Sequence, residues 1–337
     1  MPDDKRHHLT MLLAEAEGYS PGLPDGVFFL EEKSPIVNLG QQLCARVESH
    51  GYKRVFPPLF EFYDTYAGGG ATDVSRRCFS FKDKDGSLLA LRYDMTTPIA
   101  RMVAQRYKPE DLPLRLYYYG DVFREQPFHQ GKPRQIRQLG VELIGNAGVS
   151  SDGEVVSMAC QLLSQLDTSY LLVIGDIRIY RALLTSLELS PYEREAVHRC
   201  FLLKDETSLR TILADISLPP KVSEQLFSLM QAVVKLENER QLKKMLELFE
   251  EEGEIVLGYL LALREILSQE QRKHVLIDLG MVKDLGYYSS LILEGYVSKS
   301  GYPVCHGGRY DGLYAAFGKN FPAVGWALDL SYTFRYL

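Results

Sequence analysis

Residues 114–145 read LRLYYYGDVFREQPFHQGKPRQIRQLGVELIG. Two apolar and aromatic runs, LRLYYYG (114–120) and IRQLGVELIG (136–145), flank FREQPFHQGKPRQ, which is too long and too polar for a tight turn. This predicts a long-looped antiparallel pair of strands. In the second run Gln138, Gly140 and Glu142 alternate and share one face. Glu142 lies between Val141 and Leu143, in a run that otherwise reads as buried. A carboxylate on the inner face of a sheet must have a partner or change its pKa. An imidazole, an amine or a basic side chain would satisfy it; the plainer reading is an internal ion pair with Arg124 or Arg137. Lys132, Arg134 and Arg137 make a basic cluster suited to anions, or simply an exposed basic loop.

Toward the N-terminus, CFSFKDKDGSLLALRYD places two strand-like runs around KDKDG, a hairpin signature. LRYDMTTP (91–98) then puts Asp94 and Thr96 between a strand and an expected helix at 99–107; both residue types suit a helix cap. VFPPLFEF (55–62) is extended because Pro57 and Pro58 forbid helix. Ile36, Leu39, Leu43 and Val47 predict a helix over 35–50. Residues 20–30 read as an irregular lead-in and GGGAT (68–72) as a flexible loop.

Toward the C-terminus, Ser151 and Glu154 have capping-box spacing ahead of a helix whose Val155, Ala159, Leu162, Leu163 and Leu166 line one face. YLLVIG (170–175) is a short strand. Residues 176–272 read as helical, with Leu226, Leu229, Met230 and Val233 at helical spacing, and likewise Leu242, Met245, Leu246 and Phe249. The charged runs KLENERQLKK and FEEEGE are solvated helix faces. Strand character returns at 274–279, 287–297 and 302–305, followed by HGGRYDGL (306–313) and FPAVGWALDL, which opens a last helix. Tyr288 shares strand parity with Ser290, Ile292 and Glu294, and Gly307 and Gly308 allow close backbone approach. The order predicts an α+β chain whose antiparallel sheet is completed from both sides of an inserted helical module. Three polar clusters flanking one sheet point to a pocket for a small zwitterion.

The chain has 337 residues, 38 Lys and Arg against 44 Asp and Glu, 46% hydrophobic and 24% charged residues. That is the composition of a globular protein of one large domain or two. The net charge of −6 argues against bulk electrostatic capture of nucleic acid, which makes tRNA binding unlikely. Five scattered Cys with no CxxC pair exclude a disulfide framework or a zinc knuckle and fit a reducing cytoplasm. No apolar run reaches the roughly 18–20 residues of a membrane span, and the N-terminus lacks a secretory h-region. A cytoplasmic protein with no metal and no cofactor is expected.

The motifs LRYDMTTPIAR, DVFREQPFHQGKPRQIRQLGVELIG, VKDLGYYSSLILEGYV, HGGRYDGL and FPAVGWALDL together resemble the catalytic domain of class II histidyl-tRNA synthetases and its paralogue, the regulatory subunit of ATP phosphoribosyltransferase. The resemblance implies the class II aminoacyl-tRNA synthetase-like fold: an antiparallel sheet flanked by helices, with a discontinuous core over 1–175 and 273–337 and a helical insertion at 176–272. It also implies a histidine pocket. Asp94, Thr96 and Gln138 would hold the α-amino group, Glu142 and Tyr288 (with Tyr287 beside it) would read the imidazole, and Arg124 would lie nearest the carboxylate.

Departures from the synthetase pattern favour the regulatory paralogue. Lys283 stands where synthetases of this kind carry a catalytic Arg, and Lys lacks the planar fork of Arg. Asp329 stands for a Gly, putting a carboxylate where nucleotide would lie, and Tyr332 for the Arg that meets adenine and the γ-phosphate. Gln126 and Lys132 depart from the usual Glu and Arg, and the chain stops near this motif, without the usual anticodon-binding domain. The resemblance therefore implies a non-catalytic subunit, with no catalytic residues of its own. It would bind histidine as feedback effector and act with the short catalytic subunit in the first step of histidine biosynthesis. The assembly implied is a hetero-octamer built on homodimers, the dimer contact lying at roughly 35–62. The alternatives are a histidyl-tRNA synthetase fragment or a synthetase-like protein of another function.

Overall fold

The computed structural model describes residues 35–68, 77–125, 134–216, 218–283, 287–298, 300–331 and 333. The lead-in at 20–30, the GGGAT loop from Gly69 onward and the departures at Gln126, Lys132 and Tyr332 lie outside the described residues. The strands in chain order are β1 (Lys53–Arg54), β2 (Phe60–Phe62), β3 (Ser80–Lys82), β4 (Leu88–Leu91), β5 (Leu114–Phe123), β6 (Gln135–Ile144), β7 (Leu171–Asp176), β8 (Val233–Lys235), β9 (Val275–Asp278), β10 (Leu291–Tyr296), β11 (Cys305–Arg309) and β12 (Ala323–Asp329). Nine form one sheet in the order β1-β5-β6-β12-β11-β10-β7-β9-β8; β2, β4 and β3 form a small second sheet.

The β5–β6 pair is antiparallel, from Leu114 opposite Ile144 to Phe123 opposite Gln135. The main sheet is antiparallel except where β1 meets β5 and β7 meets β9. As expected, strands from before and after residues 176–272 complete one sheet. β10 and β11 pair with each other, β10 then joins β7 from the N-terminal half, and β12 joins β6.

The two faces of this sheet have different jobs. Val324, Trp326 and Leu328 of β12 and Leu139, Val141 and Leu143 of β6 point to one side. They pack on the Val149–Leu166 helix, where Val155, Val156, Ala159, Leu162 and Leu163 are fully buried. The indole Nε1 of Trp326 donates to the Val155 carbonyl at 3.0 Å. The opposite face carries Tyr118, Gln138, Gly140, Glu142, Gly325, Ala327, Asp329 and His306, which are cross-strand neighbours. It is covered by the Thr96–Arg106 helix through Ile99, Ala100, Val103 and Ala104.

Several local expectations are corrected. The helix after β6 begins at Val149, with Gly148 as N-cap, so Ser151 and Glu154 do not form a capping box. The Ser151 hydroxyl donates to the Asn146 and Gly148 carbonyls, and Glu154 is held by Arg115 in two 2.7 Å bonds and by Tyr52. A guanidinium fork is the stronger partner for a carboxylate than one backbone amide. Val233 is not helical: the Pro220–Met230 helix ends before it, and Val233–Lys235 pairs antiparallel with β9. Residues 176–272 are thus mostly helical but contribute an edge strand. FPAVGWALDL is itself β12, and helix begins only at Leu330, because its apolar side chains have a two-residue period with a helix to pack on. Strand β10 starts at Leu291, leaving Tyr287 and Tyr288 in the preceding turn, and β11 spans Cys305–Arg309 rather than 302–305.

Candidate functional site

The cleft opens at the N-terminal end of the Thr96–Arg106 helix, over the polar face of β6, β12 and β11. Its empty space, mouth included, is about 420 Å³. Glycines make the room. A Cβ on Gly140 would fall 2.3 Å from the Tyr118 hydroxyl oxygen, and one on Gly325 2.1 Å from Glu142 Oε2.

Glu142 is buried, at 2% exposure. Its partners are hydroxyls rather than cations: Thr96 Oγ1 donates to Oε1 at 2.8 Å, and the Tyr310 hydroxyl donates to Oε2. The expected alternative, an ion pair with Arg124 or Arg137, does not form. Arg137 pairs with Asp121, and Arg124 donates through Nε to the Tyr93 carbonyl at 3.2 Å. Burial pushes the Glu142 carboxyl up to about 8, with the nearby Asp94 charge adding to the effect and the two hydroxyls only partly offsetting it. A carboxyl poised near neutrality can exchange one proton with an imidazole.

Asp94 does what a cap does. Its Oδ1 accepts from the Thr97 amide at 2.7 Å and its Oδ2 from the Thr97 hydroxyl at 3.2 Å. It also lines the cleft, where burial raises its pKa against the opposing pull of those bonds and of Arg124. Gln138 donates through Nε2 to Asp329 Oδ1 at 2.5 Å. The other oxygen of Asp329 lies 4.0 Å from Arg124 Nη1 and 3.9 Å from His306 Nδ1. Burial lowers the pKa of His306, against the opposing pull of Asp329. Tyr288 is buried and Tyr287 half-buried; the Tyr287 ring packs on Tyr288 at 5.0 Å and edge-on to Tyr310 at 6.0 Å.

All seven residues expected to form the pocket are thus drawn together: Asp94, Thr96, Arg124, Gln138, Tyr287 and Tyr288 line the cleft and Glu142 sits under Thr96 and Tyr310. Lys283 is placed differently from a free cation: it is bonded to Glu294, which also accepts from the Tyr296 hydroxyl at 2.6 Å. Burial pushes Glu294 up, but Lys283 outweighs it and holds the carboxyl below its usual range. Sequence reasoning missed Tyr310, Tyr118 and His306. Tyr310 and His306 both stand in HGGRYDGL, flanking its glycines; no spacing told which of the many tyrosines would face Glu142. Among the described residues no cluster of His, Cys, Asp and Glu is arranged to hold a metal ion, and no helix is long and apolar enough to cross a membrane.

Comparison with known proteins adds the family. The family model described as histidyl-tRNA synthetase matches residues 29–332. A solved structure from Bacillus halodurans, described as an ATP phosphoribosyltransferase regulatory subunit/histidyl-tRNA synthetase, superposes with a TM-score of 0.81 at 29% identity, covering 94% of this chain and 84% of that one. A histidyl-tRNA synthetase from Nostoc, at 18% identity and a TM-score of 0.73, shares the fold. With its mainly antiparallel sheet and flanking helices, the chain is an α+β protein of the class II, histidyl-tRNA synthetase-like type. The ATP phosphoribosyltransferase regulatory subunit of Moorella thermoacetica is 35% identical over 321 residues, 91% of this chain and 80% of that protein. The one of Symbiobacterium thermophilum is 33% identical over 319 residues, 91% and 78%. The chain belongs to the family of ATP phosphoribosyltransferase regulatory subunits.

Proposed function

We propose that this subunit is a histidine sensor without chemistry of its own, acting in the cytoplasm with a short-form ATP phosphoribosyltransferase chain that carries out the phosphoribosyl transfer. The observation that carries this reading is Glu142, a buried carboxyl with its pKa near neutrality, held under Thr96 at a cleft lined by Asp94, Arg124, Gln138, Tyr287 and Tyr288. Imidazole would be read by Glu142 and Tyr288, with Tyr287 as packing partner; the α-ammonium by Asp94, Thr96 and Gln138; and the carboxylate end would lie toward Arg124. The absence of adenylating activity is supported by Asp329, whose carboxylate lies where it would oppose a triphosphate at Arg124, and by the engagement of Lys283 with Glu294.

Histidine would regulate the complex by binding its two conformational states unequally, and linkage then requires substrates to weaken histidine binding by the same factor. The exposed aromatics Phe56, Phe60 and Phe62, 52–73% accessible, support a homodimer contact in the 35–62 region within a hetero-octamer.

Calorimetry of the purified chain with histidine and, separately, with ATP tests the reading. Heat is expected for histidine alone. ATP binding with formation of histidyl-adenylate, measured as histidine-dependent pyrophosphate exchange, would establish a synthetase instead.

A further inference from the structure

Among the described residues, Arg124 in the cleft and Lys283 near it each already have an anion. Arg124 Nη1 is 4.0 Å from Asp329, which is 3% exposed and fixed by the 2.5 Å bond from Gln138. Lys283 is bonded to Glu294, fixed in turn by the Tyr296 hydroxyl. The two pairs bracket His306: Asp329 lies 3.9 Å from its Nδ1, and Glu294 is its cross-strand partner on β10. An ion pair presents a dipole, and its field falls off faster than that of a lone charge. Burial of Asp329 keeps water from screening that neutralisation. Asp94 and Glu142, by contrast, have no cation bonded to them among the described residues; hydroxyls and a backbone amide are their partners. The site as built therefore offers little uncompensated positive charge to a ligand's carboxylate.

We propose that Asp329 and Glu294 are built-in counter-anions that set ligand specificity, so that the pocket takes imidazole-bearing primary amines and gains little from a ligand's carboxylate. This rests on the reading of the cleft as an amino-acid site and names which part of the amino acid it reads. Asp329 has a second effect. With the Gln138 amide nitrogen committed to Asp329, the Gln138 carbonyl oxygen is left as the acceptor available to an ammonium group. Asp329 is thus a positioning residue for Gln138 as well as a shield for Arg124.

The test is calorimetry of the full chain with L-histidine and with histamine, which keeps the imidazole and the amine and lacks the carboxylate. The two affinities are expected to agree within about threefold. Asp329→Asn and Glu294→Gln each uncover one cation. Each is expected to raise the preference for histidine over histamine by about tenfold. Because Asp329 is buried, Glu294→Gln carries the same comparison if Asp329→Asn does not fold. A preference for histidine above about tenfold in the unaltered chain, or a ratio that neither folded variant moves, overturns the inference while leaving the histidine reading intact. No heat from either ligand removes that reading, and this inference with it.

Discussion

Thr96 Oγ1 donates to Glu142 Oε1 at 2.8 Å, across 46 residues of sequence. The bond ties the first turn of the covering helix to the centre of the main sheet. It places a hydroxyl on a buried acid at the cleft whose pKa is pushed up to about 8.

The first consequence is a pH window for histidine. Free imidazole titrates at about 6.5, and Glu142 at about 8. A complex that shares one proton between the two forms without proton exchange between those values. Below the lower value a proton must leave on binding, and above the upper one a proton must be taken up. Affinity is expected to be greatest between about pH 6.5 and 8 and to fall on both sides. A histidine titration series from pH 5.5 to 9 in buffers of different ionisation enthalpy checks it; a flat profile contradicts it.

Glu142→Gln should separate recognition from stability. The folded-state pKa lies above the unfolded one, so the native state holds a proton that the unfolded chain releases between about pH 4.5 and 8. Stability contributed by this group therefore falls as pH rises through that window. Glutamine removes the term, and the variant is expected to be more stable than the parent at pH 8 by up to about 4 kcal/mol, with little difference near pH 4.5. Its histidine affinity is expected to drop by roughly tenfold to a hundredfold. Thermal melts at the two pH values and calorimetry supply both readouts.

Asp94 carries two roles that two substitutions divide. Asp94→Asn keeps an oxygen for the Thr97 amide and should melt within about 0.5 kcal/mol of the parent, yet bind histidine about tenfold more weakly because the charge facing the ammonium is gone. Asp94→Ala loses the cap too and is expected to cost a further ~1 kcal/mol in stability. Equal histidine affinity in all three chains would confine Asp94 to capping.

Arg309, 4% exposed, binds Asp152 at 2.6 Å, Asp311 at 2.9 Å and the Ser151 hydroxyl at 2.8 Å. Asp152 also accepts from Tyr259 of the Glu250–Ile266 helix at 2.7 Å. Arg309→Met should destabilise by about 3–5 kcal/mol, because it strands a buried carboxylate. Adding Asp152→Asn should recover much of the loss, and denaturant melts of the cycle measure the coupling.

Much of this was legible in the sequence, and the failures have physical reasons. The β5–β6 pair, the β3–β4 hairpin and Glu142 on an inner face followed from two-residue alternation, which is a local property. Val233 was misread because helical spacing in Leu226, Leu229 and Met230 ran on into a residue that instead finds the open edge of β9, a partner more than 40 residues away. Glu154 misled because its cation, Arg115, lies on a distant strand. In the site, residue types and their face were readable. Pairings across the sheet were not, so the bond of Lys283 to Glu294 and the hold of Asp329 on Gln138 went unseen. Tyr310 reaches Glu142 only after β11 and β6 are brought together by β12 between them.

The three residues of β8 have a consequence for how this chain can be trimmed. They close the main sheet by pairing with β9, and the helices around them share one apolar interior with the sheet. Excising the segment between β7 and β9 would strip β9 of its outer neighbour and leave a row of bare amides and carbonyls ready to recruit strands from other molecules. A shortened version joined from Asp176 to His274 is expected to come out of cells as insoluble protein, even though none of the cleft residues has been removed.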